Sequence, residues 1–121
     1  MVSASRCAQA ASWAATIPWR GCGFCIPHRT LAALPPDGTI LEIQVATERP
    51  PVAAAGVWPP TIRSRDVGGL EGVPRRNGVY QRLARYGRVE AYVFAFFGRA
   101  RPTASQLAAA NAELATVRLH Q

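Results

Sequence analysis

Cysteine residues near the N-terminus are the side chains best suited to chemistry. Cys22 and Cys25 form a Cys-Gly-Phe-Cys arrangement, His28 follows three residues later, and Cys7 lies upstream. Three thiolates and one imidazole are the ligand set of a closed structural zinc centre, so these four residues are a candidate metal site. A second Cys-x-x-Cys pair, typical of such centres, is missing. Zinc is thus the one cofactor that the sequence suggests. The favoured alternative is that the three cysteines have no role, or form one disulfide and leave one free thiol.

The Cys-x-x-Cys spacing also occurs in redox enzymes and in haem-binding proteins. A redox pair requires a strand before the first Cys and a helix after it. No strand pattern precedes Cys22, and Pro27 stands where the helix would have to run. Covalent haem attachment requires His directly after the second Cys, and Ile26 occupies that position. We therefore expect neither chemistry.

The remaining polar residues form no complete catalytic motif. The chain has no phosphate-binding glycine loop, no nucleophile elbow and no metalloprotease motif. Its seven acidic residues do not pair recognisably along the sequence, and Glu42 and Glu90 are expected on solvated faces of strands. A non-enzymatic role is the interpretation that this pattern favours.

Positive charge dominates the composition. The net charge is +7, and the fourteen basic residues are all arginine. Arginine pairs well with phosphate and with base edges, but a bias toward GC-rich codons also produces arginine without lysine. Basic and aromatic residues close together around a predicted hairpin make a candidate nucleic-acid surface, consisting of Tyr80, Arg82, Arg85, Tyr86, Arg99 and Arg101. Because arginine is spread through the whole chain, ordinary surface arginine is the competing interpretation.

The elements that must position these residues are predicted from periodicity. Apolar residues alternate over Thr39–Ala46, which predicts a half-buried strand. Residues 79–85 and 88–97 predict a hairpin around Tyr86 and Gly87, with the second strand covered on both sides. Residues 61–67 are expected as an edge strand with Arg63 and Arg65 facing water. Trp58 is expected to lie over the core from the Pro-rich loop that precedes them.

A helix is predicted at the C-terminal end. Thr103 is the expected N-cap, Gln106 completes a capping box, and the helix should end near Arg118. The fold class is therefore α+β, an antiparallel sheet of three to four strands packed by one C-terminal α-helix. Residues 28–121 are expected to form a single domain, and residues 1–27 a poorly determined N-terminal segment.

Two resemblances accompany these patterns. The turn from Leu34 to Gly38, the strand from Glu90 onward and the helix opening at Pro102 resemble small domains of high-GC bacteria that are often exported and have no assigned activity. Residues 79–118 also resemble small bacterial ribonuclease toxins in outline, because a hairpin leads through a basic connection into a final helix. The first resemblance implies the fold and an extracytoplasmic location, and the second implies RNA as a partner.

Three functions remain open from the sequence. The first is a non-catalytic interaction or accessory domain with a protein partner. The second is a basic RNA-binding or ribonuclease-toxin-like module, and the third is a small structural-zinc module. No stretch reaches the roughly 18 apolar residues of a membrane span. An alanine-rich run after Arg6 faintly resembles a signal-peptide core, but Gln9, Ser12 and Thr16 make it a poor one. The slight preference for an extracytoplasmic over a cytoplasmic location comes from the resemblance to often exported domains.

Overall fold

A computed structural model describes residues 2–7, 11–16, 26, 28–46 and 55–118. The elements are β1 (Val2–Cys7), β2 (Ala11–Ala15), α1 (His28–Ala33), β3 (Thr39–Ala46), β4 (Gly56–Val57), β5 (Val79–Tyr86), β6 (Val89–Phe97) and α2 (Ala104–Thr116). The six described strands form one sheet in the order β1-β2-β3-β6-β5-β4. Every pair is antiparallel except β4 and β5, which run parallel. The predicted α+β class, a sheet packed by a C-terminal helix, is confirmed, and β1 and β2 enlarge the sheet beyond the predicted strands.

The helix α2 packs on one face of the sheet. Because side chains alternate along a strand, β3 presents Leu41 and Ile43 to this face, and β6 presents Val93 and a row of alanines. Ala110 and Leu114 of α2 join the same core cluster, and both are fully buried. Trp58 also packs into this cluster, as predicted.

The opposite face of the sheet is covered at one end by α1. Leu31 and Leu34 pack there against Ile40, Val79 and Phe96 in a second buried cluster. Strand β6 lies between β3 and β5 and contributes residues to both clusters. The prediction that this strand is central is therefore confirmed, and its second face is covered only toward the Phe96 end, since Tyr92 is 40% exposed.

The turn before β3 lies against the residue that follows β6. The N–H of Gly38 donates to Pro35 O at 2.8 Å, and the N–H of Gly98 donates to Gly38 O at 2.9 Å. A Cβ atom added to Gly98 would lie 1.7 Å from Pro35 O. Only glycine allows the backbones to approach this closely.

The start of α2 has the predicted capping box. The Thr103 hydroxyl accepts from the Gln106 N–H at 3.1 Å, and the Gln106 side-chain oxygen accepts from the Thr103 N–H at 2.9 Å. The Gln106 amide also donates to Pro36 O at 3.0 Å, which ties the helix to the turn before β3. Within the described ranges, neither helix is long and apolar enough to span a membrane.

The prediction of a strand over residues 61–67 is wrong. The edge strand is β4, and Ser64–Asp66 form a single 3-10 turn. The backbone groups of Ile62 bond to the side chain of Asn111 on α2 instead of to a strand. Residues 61–67 therefore do not pair as a strand, and the chain pairs with β5 again only at the next residue, where Gly68 bridges to Val79.

The prediction that Glu42 and Glu90 lie on solvated faces is also wrong. Their side chains are only 1% and 2% exposed. β3 has β2 on one side and β6 on the other, so Glu42 is in the interior of the sheet, and Glu90 on β6 lies between β3 and β5. The sequence pattern shows which residues alternate, but it does not show which strands flank them.

Candidate anion-binding cleft

A cleft of about 410 Å³ lies where β4 and β5 face the segment 59–66. We call it the arginine cleft. Its polar walls are formed by Thr61, Arg63, Arg65, Asp66, Tyr80 and Arg82. Gly56, Val57, Pro59 and Pro60 complete the lining, and the surface that the cleft presents is mainly polar. The volume falls in the range of small-ligand sites, about 300–1,000 Å³, and three cationic groups face one acidic group.

The segment that forms the outer wall is fixed to α2. The Ile62 N–H donates to Asn111 Oδ1 at 2.7 Å, and Asn111 Nδ2 donates to Ile62 O at 3.0 Å. Trp58 Nε1 donates to Val117 O at 3.4 Å, beyond the last residue of the helix. The cleft is therefore held in place without a ligand.

The guanidinium groups of the cleft have no hydrogen-bond or salt-bridge partner in the part of the chain that the structure describes. Among the residues that the structure describes, Arg63, Arg65 and Arg82 form neither a hydrogen bond nor a salt bridge through their side chains. Like charges in one cleft repel each other, and this repulsion falls when an anion binds between them. The arrangement therefore favours an anionic ligand.

Other arginines donate hydrogen bonds to backbone carbonyl groups. Arg76 donates to carbonyl oxygens at the end of α1, with Leu31 O at 2.7 Å. Arg99 Nε donates to Pro36 O at 3.0 Å, and Arg118 donates to a carbonyl oxygen of α2. These side chains satisfy carbonyl groups that helix ends and turns leave without partners. The chain thus has structural arginines, and a separate group that lines the cleft.

Tyr80 is a buried residue that lines the cleft. It precedes Arg82 by two residues on β5, so both side chains are on the same face of the sheet. Tyr80 is 1% exposed, and its hydroxyl has no hydrogen-bond partner within the described part of the chain. Burial raises the pKa of the Tyr80 phenol, the Arg82 charge lowers it, and the Asp66 charge raises it. The phenol therefore stays protonated and can donate a hydrogen bond into the cleft.

Asp66 is the acidic residue of the cleft. It ends the 3-10 turn and is exposed. Its negative charge raises the pKa of the Tyr80 phenol, and both residues line the cleft. It forms no salt bridge with another described residue, although Arg63, Arg65 and Arg82 line the same cleft. The carboxylate remains available as a hydrogen-bond acceptor.

The structure separates the six residues proposed for nucleic-acid binding. Tyr80 and Arg82 line the arginine cleft. Arg85 is an odd number of residues from Tyr80 on the same strand, so it is on the opposite face, and Tyr86 is exposed at the end of β5. Arg99 is bonded to the turn before β3, and Arg101 is exposed just before α2. The structure therefore brings together two of the six.

Sequence reasoning missed the contribution of Arg63, Arg65 and Asp66 to a site. The sequence did contain one indication, because Arg63 and Arg65 lie two residues apart and are both expected to face water. The alternation is typical of an edge strand, whereas the segment forms the outer wall of a cleft.

The proposed zinc ligands are only partly within the described residues. Cys22 and Cys25 lie outside them, Cys7 is described only as backbone of β1, and the His28 side chain is exposed at the start of α1. The described part of the chain contains no group of three or more His, Cys, Asp or Glu side chains placed to hold a metal ion. The zinc site stays a prediction.

Glu42 is a second titratable group in an unusual setting, on the face of the sheet opposite α2. Burial raises its pKa to about 7, and a hydrogen bond from Gln44 Nε2 at 2.5 Å lowers it in part. It does not line the arginine cleft. The protonation state of Glu42 is therefore expected to affect the stability of the sheet.

Comparisons with known proteins identified no relative. No family model matches the chain, and no curated protein and no solved structure matches it either.

Proposed function

We propose that the chain is a non-catalytic interaction domain that binds an anionic, phosphate-bearing ligand in the arginine cleft. The observation that carries the proposal is that three arginines and Tyr80 line one cleft, and their side chains have no partner among the described residues. Guanidinium groups that share a cleft repel each other. A phosphate bound between them offsets this repulsion, and a phosphate oxygen can also accept from the Tyr80 hydroxyl.

Phosphate suits the cleft because of its charge and number of acceptors. A guanidinium group offers several donors in a planar fork that matches the oxygens of phosphate. Arg63 and Arg65 belong to the segment that Asn111 holds, Arg82 is on β5, and all three line the cleft. The three guanidinium groups thus come from two separate parts of the chain.

Binding of inorganic tripolyphosphate, measured by isothermal titration calorimetry, tests the proposal. We expect each of Arg63→Ala, Arg65→Ala and Arg82→Ala to weaken binding about tenfold or more, because a hydrogen bond to a charged group contributes roughly 1.5–3 kcal/mol. Arg101→Ala is the matched control, since it removes the same charge from an exposed site outside the cleft.

The control separates local binding from overall charge. If Arg101→Ala weakens binding as much as the cleft variants do, the ligand responds to net charge, and the cleft has no special role. Affinity for tripolyphosphate should also fall as salt rises, because the Debye length shortens from about 10 Å at 0.1 M to about 3 Å at 1 M.

A further inference from the structure

We propose that the ligand of the arginine cleft presents a terminal phosphate, a phosphomonoester in its dianionic form, and that the Tyr80 hydroxyl is the fixed donor that binds it. This inference rests on the proposed function, because it assigns the phosphate to the same arginines. It goes further by naming the kind of phosphate and the residue that determines where one of its oxygens is bound.

The position of the Tyr80 side chain is determined by the core. Among the residues that line the cleft, Tyr80 alone is buried, and it belongs to the core cluster that contains Leu41, Ile62 and Leu114. The three arginines of the cleft are exposed, so their guanidinium groups can change position with the ligand. The Tyr80 hydroxyl has no such freedom, so it fixes the place of one acceptor oxygen.

The hydroxyl of this buried residue remains open to the cleft. It has no hydrogen-bond partner in the described part of the chain. Among the buried and half-buried residues of that part, Asn77 Oδ1 is the only side-chain polar atom that is both sealed from solvent and without a partner. The Tyr80 oxygen is therefore not sealed, and the residue lines the cleft. A donor in this position is satisfied when an oxygen of a ligand accepts from it.

The charges of the cleft match those of a phosphomonoester. Three guanidinium groups and the Asp66 carboxylate, three positive charges and one negative, give the lining a net charge of +2. A phosphomonoester carries about −1.5 to −2 charges at pH 7 and offers three terminal oxygens as acceptors. A phosphodiester carries a single negative charge and has fewer free oxygens. The monoester therefore neutralises the cleft more completely.

The lining also limits what else the ligand places in the cleft. The surface that the cleft presents is mainly polar. An apolar substituent gains little free energy there, because hydrophobic stabilisation scales with the apolar area that is removed from water. We therefore expect the phosphate to supply most of the binding free energy and the substituent to remain in water.

Calorimetric titrations of the full chain with glycerol phosphate and dimethyl phosphate test the preference for a monoester. We expect glycerol phosphate to bind about tenfold more tightly at neutral pH, because it brings a second charge and a further charged acceptor. Its affinity should fall about fivefold between pH 8 and pH 5, since the second pKa of a phosphomonoester is about 6. Sulfate keeps both charges over this range, so a change in the protein itself would appear in its titration too.

Tyr80→Phe tests the fixed donor. Phenylalanine keeps the ring in the core and removes the hydroxyl, so the affinity for glycerol phosphate should fall about tenfold. The thermal unfolding midpoint should stay the same or rise, because the lost donor has no partner in the folded protein. Tyr86→Phe is the matched control, since it removes the same group from a side chain that is 48% exposed and does not line the cleft. It should bind glycerol phosphate as wild type does.

The outcomes separate this inference from the proposed function. Equal affinity for glycerol phosphate and dimethyl phosphate, with binding of tripolyphosphate retained, overturns the monoester and leaves anion binding intact. Unchanged affinity of a folded Tyr80→Phe variant for glycerol phosphate also overturns the inference and leaves anion binding intact. Absence of binding by every anion, tripolyphosphate included, overturns both.

A phosphopeptide separates the two sources of a phosphomonoester. A heptapeptide with a central phosphoserine that binds at least about tenfold more tightly than glycerol phosphate indicates a phosphorylated protein, because its flanking residues then add contacts. Equal or weaker binding of the peptide indicates a small phosphorylated molecule. Binding of the same peptide without its phosphate would contradict both, because the cleft would then not be reading the phosphate.

Discussion

Replacing Asn111 by alanine removes the two hydrogen bonds that fix the outer wall of the arginine cleft. Each such bond contributes about 1 kcal/mol, so the pair contributes roughly 2 kcal/mol. Ile62 is 2% exposed, which keeps water from fully replacing the lost partner and adds to the cost. Alanine is a better helix former than asparagine by at most about 0.7 kcal/mol, which offsets part of the loss. We expect the free energy of unfolding to fall by about 2 kcal/mol in total.

Urea denaturation of wild type and Asn111→Ala measures this loss, and tripolyphosphate titration measures its effect on the site. Binding should weaken severalfold, because Arg63 and Arg65 lose their fixed position although neither is altered. Asn111→Asp keeps the acceptor for the Ile62 N–H and loses the donor, so it should be less destabilising than alanine. A loss of stability below about 0.5 kcal/mol, or unchanged binding at a reduced stability, would show that Asn111 does not position the cleft.

Two other predictions concern the sheet. The folded-state pKa of Glu42 lies at about 7, above its ordinary value of 4.5. The protonated side chain therefore stabilises the fold, and this contribution is fully present below about pH 4.5. It is lost as the pH rises through 7. In urea denaturation between pH 5 and pH 7, Glu42→Gln should therefore lose less stability than wild type does, and an equal loss would contradict this. Gly98→Ala places a Cβ atom 1.7 Å from Pro35 O and should lower stability by about 3 kcal/mol or more. Gly69→Ala, which meets no atom within 4 Å, should leave the thermal unfolding midpoint nearly unchanged, and equal effects of the two would refute the steric explanation.

Elements determined by nearby residues are predictable from the sequence. Alternation fixes β3 at Thr39–Ala46 and the hairpin of β5 and β6 to within a residue. The capping residues Thr103 and Gln106 fix the start of α2. Each of these signals lies within a few residues of the element that it defines, so tertiary contacts are not needed to interpret it.

Features determined by distant residues are not predictable in this way. Ile62 and Asn111 are 49 residues apart, and their bonds decide that residues 61–67 form a wall and not a strand. Glu42 is buried on β3, which pairs with β2, and the sequence shows no clean period for β2. Two members of the site, Tyr80 and Arg82, are predictable because they share a strand. Arg63, Arg65 and Asp66 join them only through the tertiary structure.

The arginines fall into two groups, those bonded to the backbone and those that line the cleft. This difference bears on how the net charge of +7 is interpreted. A bias toward GC-rich codons is one interpretation of why the chain has arginine and no lysine, and it does not explain where guanidinium groups lie in the fold. Arg76 and Arg99 donate to backbone carbonyl groups, so their positions follow from the stability of turns and helix ends. Arg63 and Arg82 contribute no such bond within the described part of the chain, yet they line the same cleft. Folding alone gives no reason to place them together, and a ligand that carries negative charge does.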